Sequence, residues 1–117
     1  MKRFVNKLQC GNTIDINLNY AVNGVPTDLA AGDDFIVAIY TINKRCLYSA
    51  SLSEGTVEKV DGEVGKYKVT MGFKDTVNMP PRTIMEMVIK RADGTVRHIE
   101  DDIMLEWINN NINDLVR

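Results

Sequence analysis

Apolar and polar residues alternate along much of this chain, and that alternation constrains the fold more than any other feature. The clearest run, 13–20, places four apolar residues on one face, Ile14, Ile16, Leu18 and Tyr20. Side chains on a strand repeat their direction every two residues, whereas a helix would scatter these four around its axis. The run therefore predicts a β-strand with one face in solvent.

Similar runs recur along the chain, separated by turn signals. They predict further strands over 34–42, 44–49, 56–60, 66–71, 83–91 and 95–107. The run 34–42 is almost continuously apolar, which predicts a central strand covered on both faces. The pairs Asn23-Gly24 and Asp93-Gly94 favour tight turns, the second between two paired strands. The acidic residues 100–102 interrupt the last run and predict a bulge or kink there.

These elements together predict an all-β fold. About seven short strands, with turns every ~8–12 residues, are typical of an antiparallel sandwich or barrel. The 117 residues fit one domain. No window of ten or more residues carries a helical stripe, and 72–78 is either a loop or one helical turn. We assign 1–108 to the sandwich and the asparagine-rich segment 109–117 to a C-terminal arm or short helix.

Charge and hydropathy disfavour two classes of partner. The 14 basic and 16 acidic residues are well mixed, so no basic face indicates nucleic-acid binding. No stretch approaches the ~20 apolar residues of a membrane span. No apolar segment follows Lys2 and Arg3, so the chain is expected to stay in the cytoplasm where it is made, or to leave without an export signal. Cys10 and Cys46 are then expected to be reduced, as small half-buried side chains.

The sequence offers no set of residues suited to catalysis. The one histidine, His98, lies in a predicted strand with no nucleophile nearby, so a partly exposed strand position is expected. Adjacent strand residues point to opposite faces, so the acidic run 100–102 does not converge on a cation and is expected to be a solvated edge. The glycines form no phosphate-binding loop, and the cysteines lack zinc-binding companions. We therefore expect no enzyme activity, no cofactor and no metal.

Aromatic residues and methionines are the remaining candidates for a binding site. Most aromatic residues fall at inward positions and are assigned to the core: Tyr20, Phe35, Tyr40, Tyr48, Tyr67 and Phe73. Trp107 either caps the core or anchors a partner. Both faces of the run 83–91 carry apolar residues, so Met85 and Met87 are buried either against a partner or within a central strand.

The order of several short motifs carries a family resemblance. The polar strand 11–18 is followed by Asn23-Gly24-Val25-Pro26-Thr27-Asp28-Leu29, and a long apolar strand precedes Gly65-Lys66-Tyr67-Lys68-Val69 and Arg91-Ala92-Asp93-Gly94-Thr95-Val96. Over about residues 11–106, this resembles the immunoglobulin-like N-terminal domain of phage baseplate upper proteins and related tailed-phage virion modules. In that family a polar strand leads to a G-x-P-x-D-L turn, and a late hairpin turns on Asp-Gly.

The resemblance implies a non-catalytic structural role within a virion. The chain is then expected to be a head, neck, tail or fibre-attachment subunit that is assembled in the host cytoplasm, docks onto other virion proteins and forms homo-oligomers. Its arm 109–117 is expected to lie on a neighbouring chain. The candidate partner-binding residues are Trp107, Ile112, Leu115, Val116, Met85 and Met87.

Two alternatives remain open at this stage. A carbohydrate-binding or adhesion module would expose aromatic residues on one face or loop rim, with Trp107 and Tyr48 as candidates. A small enzyme, ranked lowest, would need a pocket that joins His98 to the acidic run 100–102.

Overall fold

The computed structural model describes residues 5–98, 103–109 and 115. Within these ranges it contains eleven strands and one short helix, α1 (Phe73–Thr76). The strands are β1 (Val5–Gln9), β2 (Ile14–Asn19), β3 (Ala21–Val22), β4 (Val25–Pro26), β5 (Asp34–Thr41), β6 (Cys46–Ser51), β7 (Val57–Lys59), β8 (Lys66–Met71), β9 (Arg82–Lys90), β10 (Val96–His98) and β11 (Ile103–Ile108). The prediction of an all-β chain is confirmed. No helix in the described ranges is long and apolar enough to cross a membrane.

The larger sheet has the strand order β1-β11-β9-β5-β6, and β10 pairs with the far half of β9. Strand β5 lies between β6 and β9 and pairs antiparallel with both. Its residues from Phe35 to Ile39 are buried or half-buried on both faces. The predicted central position is therefore confirmed, whereas within the described residues the smaller sheet covers only the face that carries Phe35, Val37 and Ile39.

The smaller sheet has the order β2-β8-β7 and is antiparallel throughout. The alternation predicted for 13–20 is confirmed, because Leu18 and Tyr20 are buried while Asp15 and Asn17 are exposed. Strands β3 and β4 form a separate small hairpin. Its turn residues, Asn23 and Gly24, have φ angles of 52° and 79°, as a two-residue hairpin turn with right-handed strand twist requires.

The inner faces of the two sheets share one hydrophobic core. The larger sheet contributes Phe35, Val37, Ile39, Ala50, Met85, Met87, Ile89, Leu105 and Trp107, and the smaller contributes Leu18, Val57, Tyr67, Val69 and Met71. The rings of Phe35 and Tyr67 lie 5.4 Å apart between centroids, tilted at 52°. Each fully buried large side chain contributes about 1.5–3 kcal/mol, so this shared core is the main source of stability.

The N-terminal segment departs from the sequence prediction. Strand β1 pairs with β11 in parallel, with Leu8 opposite Trp107, so the pairing is not antiparallel throughout. The segment was missed because an edge strand is held by backbone hydrogen bonds, which do not require strict alternation of apolar side chains. Eleven strands exceed the predicted seven, because β1, β3 and β4 are additional and the run predicted over 95–107 contains two strands, β10 and β11.

The bulge or kink predicted at 100–102 lies outside the described residues, between β10 and β11. On either side of it, His98 pairs with Val88 and Ile103 pairs with Met85, so the chain advances five positions while β9 advances three. Because the excess is an even number, Ile103 returns to the core side of the sheet, where it packs against the core.

The uncertain segment 72–78 forms one helical turn, α1. Thr76 in this turn is fully buried. Its hydroxyl donates to the carbonyl of Asn12 at 2.8 Å and accepts from the N–H of Gly11 at 3.0 Å. These bonds attach the turn to the segment between β1 and β2, so the threonine has a structural role.

The two cysteines differ from the expectation of two half-buried side chains. Cys10 is buried at 2% exposure, and Cys46 is exposed. Cys10 follows directly after β1, and its N–H donates to the carbonyl of Ile108. Cys46 begins the edge strand β6, which pairs only with β5 within the described part of the chain.

Candidate docking surface

The side of the larger sheet that faces away from the core carries a group of apolar residues. Odd-numbered residues of β9 are buried in the core, so the even-numbered ones point to the opposite side. We define the outer face by the residues that share this side on β5, β9 and β11: Ile36, Ala38, Tyr40, Ile84, Glu86, Val88 and Met104. The core cluster includes none of them.

The apolar members of the outer face are neighbours across three strands. Ile36 pairs with Val88, and Tyr40 pairs with Ile84, which pairs on its other side with Met104. Directly opposed residues have Cβ atoms about 4.5–5.5 Å apart, so these side chains touch and shield one another. All five are half-buried. Ala38 on β5 joins the Ile36–Val88 pair to the row of Tyr40, Ile84 and Met104, and we call these five residues the apolar stripe. The smaller sheet packs on the other side.

A shallow groove opens at one end of the outer face. It has a volume of about 250 Å³ and is lined by Tyr40, Thr41, Ile42, Lys44, Ile84 and Glu86. Ile42 at its rim is 52% exposed. Small-molecule sites usually measure about 300–1,000 Å³ and enclose most of the ligand, so this groove is better suited to a side chain of a protein partner.

Charged residues of both signs lie along β9 on the same side as the apolar stripe. Arg82 and Lys90 are exposed at its two ends, and Glu86 is half-buried between them. Glu86 is opposite Ala38 on β5, and Arg82 is opposite Glu106 on β11. The outer face therefore combines apolar residues with charges of both signs: Arg82 and Lys90 lie at its ends and Glu86 lies between Ile84 and Val88.

Three of the predicted partner-binding residues lie in the core instead. Trp107 is 4% exposed, and its Nε1–H donates to Oγ1 of Thr83 at 2.9 Å. Met85 and Met87 are 5% and 9% exposed because β9 is a central strand and its odd positions face the smaller sheet. The structure places all three in the core, which is one of the two positions that the sequence left open for each.

The tail candidates are described only in part. Leu115 is 84% exposed. Ile112 and Val116 lie outside the described residues, so their assignment as partner-binding residues stays a prediction.

The outer face was not singled out from the sequence, although a signal for it exists. The even positions of β9 carry Arg82, Glu86 and Lys90, which marks that side as the one in contact with solvent. Ile84 and Val88 are also at even positions, so they are apolar residues on the solvent-facing side of the sheet. The methionines were singled out by residue type, whereas the even or odd position of a residue on β9 decides which face it lies on.

The residues considered for catalysis do not meet in the described part of the chain. His98 is exposed on β10, where it lines a groove together with Arg97 and Tyr20. The acidic run 100–102 lies outside the described residues, so the proposed pairing with His98 is not tested. Among the described residues, no group of three histidine, cysteine or acidic side chains is placed to hold a metal ion.

The side chains of Asp33 and Asp34 form hydrogen bonds that hold neighbouring loops in place. The side chain of Asp33 is 4% exposed; it accepts from Nη1 of Arg91 at 3.2 Å and from the N–H of Ala92 at 3.1 Å. Nη2 of Arg91 donates to the hydroxyl of Tyr20 at 2.8 Å, and these contacts raise the pKa of Arg91. Asp34 accepts from the backbone N–H and the hydroxyl of Ser53.

The two aromatic residues proposed for sugar binding do not form an exposed platform. Trp107 is buried, and Tyr48 is half-buried and packs against the core. Burial raises the pKa of Tyr48, and the negative charge of Asp75 adds to that effect. A stacking platform needs two ring faces open to solvent, which these residues do not provide.

The motif that carries the family resemblance has a structural role. Oδ1 of Asp28 accepts from the N–H of Gly65 at 2.7 Å, and Nζ of Lys59 lies 3.4 Å from the same oxygen. The Gly65 hydrogen bond lowers the pKa of Asp28, with a smaller contribution from Lys59. The N–H of Leu29 donates to the hydroxyl of Tyr67 at 2.9 Å. Asp28 thus attaches the segment after β4 to Gly65 in the turn before β8, and Leu29 attaches it to Tyr67 in β8.

Comparison with known proteins gives no family assignment. No protein-family model matches this chain, and no curated protein matches it.

Proposed function

We propose that this chain is a non-catalytic structural protein of a tailed-phage virion that docks onto proteins of the particle through its outer face. The observation that carries the proposal is the apolar stripe of Ile36, Tyr40, Ile84, Val88 and Met104 on the solvent side of the larger sheet. The finer fold assignment, an immunoglobulin-like sandwich, is part of the same proposal and rests on two sheets that share one core.

An antiparallel sheet with one side on a core normally presents polar residues on its other side. Here the central strands β5 and β9 present Ile36, Tyr40, Ile84 and Val88 there. Removing apolar surface from water is worth about 25 cal/mol per Å², so covering the stripe with a partner is favourable. Half-buried β-branched and aromatic residues also provide rigid contact surface at low entropic cost.

The virion assignment rests on the turn chemistry of the family it resembles. The G-x-P-x-D-L motif is used to join the segment after β4 to Gly65. The Asp93-Gly94 turn connects β9 and β10, and Oδ1 of Asp93 accepts from the N–H and the hydroxyl of Thr95. Both features support a compact docking module in the head, neck, tail or fibre attachment of a particle assembled in the host cytoplasm.

The experiment compares incorporation of two lysine variants into particles whose genome encodes this chain. Ile84→Lys places a charge in the middle of the stripe, whereas Asn17→Lys places one on an exposed position of the smaller sheet. Quantitative mass spectrometry of purified particles should find Asn17→Lys at the wild-type level and Ile84→Lys reduced by about tenfold or more. Equal incorporation of both folded variants would refute docking through the outer face. Absence of the wild-type chain from particles would refute the virion assignment.

A further inference from the structure

We infer that the partner of the outer face is the same face of a second copy of this chain, related by a two-fold axis that passes beside Ile84. This inference rests on the proposed function and specifies its partner. Most soluble homo-oligomers are closed and symmetric, and a two-fold interface requires a surface that is complementary to itself. The outer face meets that requirement around Ile84, where Arg82 and Glu86 lie at equal distances on either side.

The charges of β9 supply the complementarity. Arg82 and Glu86 lie two positions before and two positions after Ile84 on the same side of the strand. A two-fold axis at Ile84, perpendicular to the strand, reverses the direction of the second copy and exchanges these two positions. Arg82 of each copy then faces Glu86 of the other, so the symmetry creates two equivalent ion pairs around a central Ile84 contact.

The neighbours of Glu86 leave room for this pairing. Glu86 is opposite Ala38 on β5, the smallest side chain on the outer face. Packed sheets are separated by about 10 Å, a distance that an arginine and a glutamate reaching from opposite sides can bridge. Around these pairs, Tyr40 and Met104 flank Ile84 on the adjacent strands and would cover it from both sides.

The size of the overlap predicts a weak dimer. An axis at Ile84 superposes residues 82–86 of β9, so the three strands of the outer face, spaced ~4.8 Å apart and overlapping over about five residues, give a plan area of roughly 250 Å² per copy. Stable interfaces bury about 800 Å² of accessible surface per partner. Side chains corrugate the face, so its accessible area exceeds the plan area, but Ile36 and Val88 lie beyond the overlap.

Sedimentation equilibrium of the full chain with a charge-reversal series tests the inference. The series comprises wild type, Glu86→Arg, Arg82→Glu and the double variant that exchanges the two charges. We expect each single reversal to weaken the dimer by about tenfold or more, because it places like charges opposite each other twice. The exchanged double variant should recover to within about threefold of wild type. Lys68→Glu, on the smaller sheet, is the control and should leave the dimer unchanged.

The outcomes separate this inference from the proposed function. Single reversals without effect, or a double variant that fails to recover while circular dichroism shows a native fold, would overturn the two-fold pairing. A wild-type chain that stays monomeric at all concentrations would show that the partner is not a second copy. In either case, if Ile84→Lys were still lost from particles, docking through the outer face would stand, with another virion protein as the partner.

Discussion

The backbone N–H of Gly65 and the carboxylate of Asp28 form a 2.7 Å hydrogen bond that joins two segments 37 positions apart. Gly65 also accepts from the N–H of Tyr20 through its carbonyl at 2.7 Å, so three segments meet at one residue. Its φ angle is +73°, and a Cβ atom placed there would lie 2.4 Å from the carbonyl oxygen of Tyr20. Both the backbone conformation and the lack of space therefore require glycine at this point.

Substitution of Gly65 should be much more damaging than substitution of a glycine in an open turn. Gly65→Ala combines a left-handed backbone with a clash against backbone atoms and should lower the free energy of unfolding by about 3 kcal/mol. Gly62→Ala is the matched control, because its φ is +77° but a Cβ atom there meets nothing within 4 Å. It should lower stability by about 1 kcal/mol, from backbone strain alone. Equal losses in urea denaturation would contradict the close contact with Tyr20.

The contribution of Asp28 to stability should depend on pH. The pKa of Asp28 is lower in the folded chain, first because of the Gly65 N–H and then because of Lys59. A carboxylate with a depressed folded pKa stabilises the fold above its unfolded pKa of ~3.9, and that stabilisation is lost as the pH falls through the folded value. The difference in unfolding free energy between wild type and Asp28→Asn should therefore shrink between about pH 7 and pH 2.5. A constant difference would contradict this assignment.

The buried pair of Trp107 and Thr83 predicts a specific sensitivity to loss of one hydroxyl. Thr83→Val keeps the shape of the side chain but leaves the indole N–H without its acceptor, which should lower stability by about 1–3 kcal/mol. Thr83→Ser keeps the acceptor and is expected to be milder. Trp107 is the single tryptophan, so its emission reports on this site. Strong quenching by iodide in the native wild type would contradict its burial.

The two thiols should differ in reactivity. Burial raises the pKa of Cys10, which lowers its thiolate fraction, and its side chain is out of contact with solvent. A soluble aromatic disulfide reagent should therefore modify one cysteine of the native chain quickly and the second only on unfolding. Cys46→Ser should abolish the fast phase, and Cys10→Ser should leave it. Two equally fast phases in the native protein would contradict the position of Cys10 in the core.

Much of the fold follows from local patterns in the sequence, and the failures have identifiable causes. The alternation at 13–20 and the apolar run at 34–42 predicted the positions of β2 and β5, because each pattern reflects which faces are buried. Strand β1 was missed because parallel pairing with β11 depends on distant backbone, which leaves no periodic signal in residues 5–9. The pairing of strands that are far apart in the chain is thus the main feature that a single sequence does not reveal.

The candidate site, too, is predictable from the sequence only in part. Residue type drew attention to Met85, Met87 and Trp107, which lie in the core. The residues of the outer face, such as Ile84 and Val88, share their parity with Arg82 and Glu86, so the sequence contains a signal for the solvent side. Their contact with Tyr40 and Ile36 on β5 required the strand register. The sequence therefore shows which residues of one strand share a face. It does not show which residues of the neighbouring strands lie beside them to make up a surface.

Hydroxyl-radical footprinting of Tyr40 and Met104 is the most direct test of the claim that the outer face is an interface. Both side chains are readily oxidised and half-buried on that face, and Met71 in the core is an internal reference. The oxidation rates of Tyr40 and Met104 should be several-fold lower in the assembled state than in the dissociated, diluted chain, while that of Met71 stays low in both. Equal rates for Tyr40 and Met104 in the two states would contradict the docking role of this face.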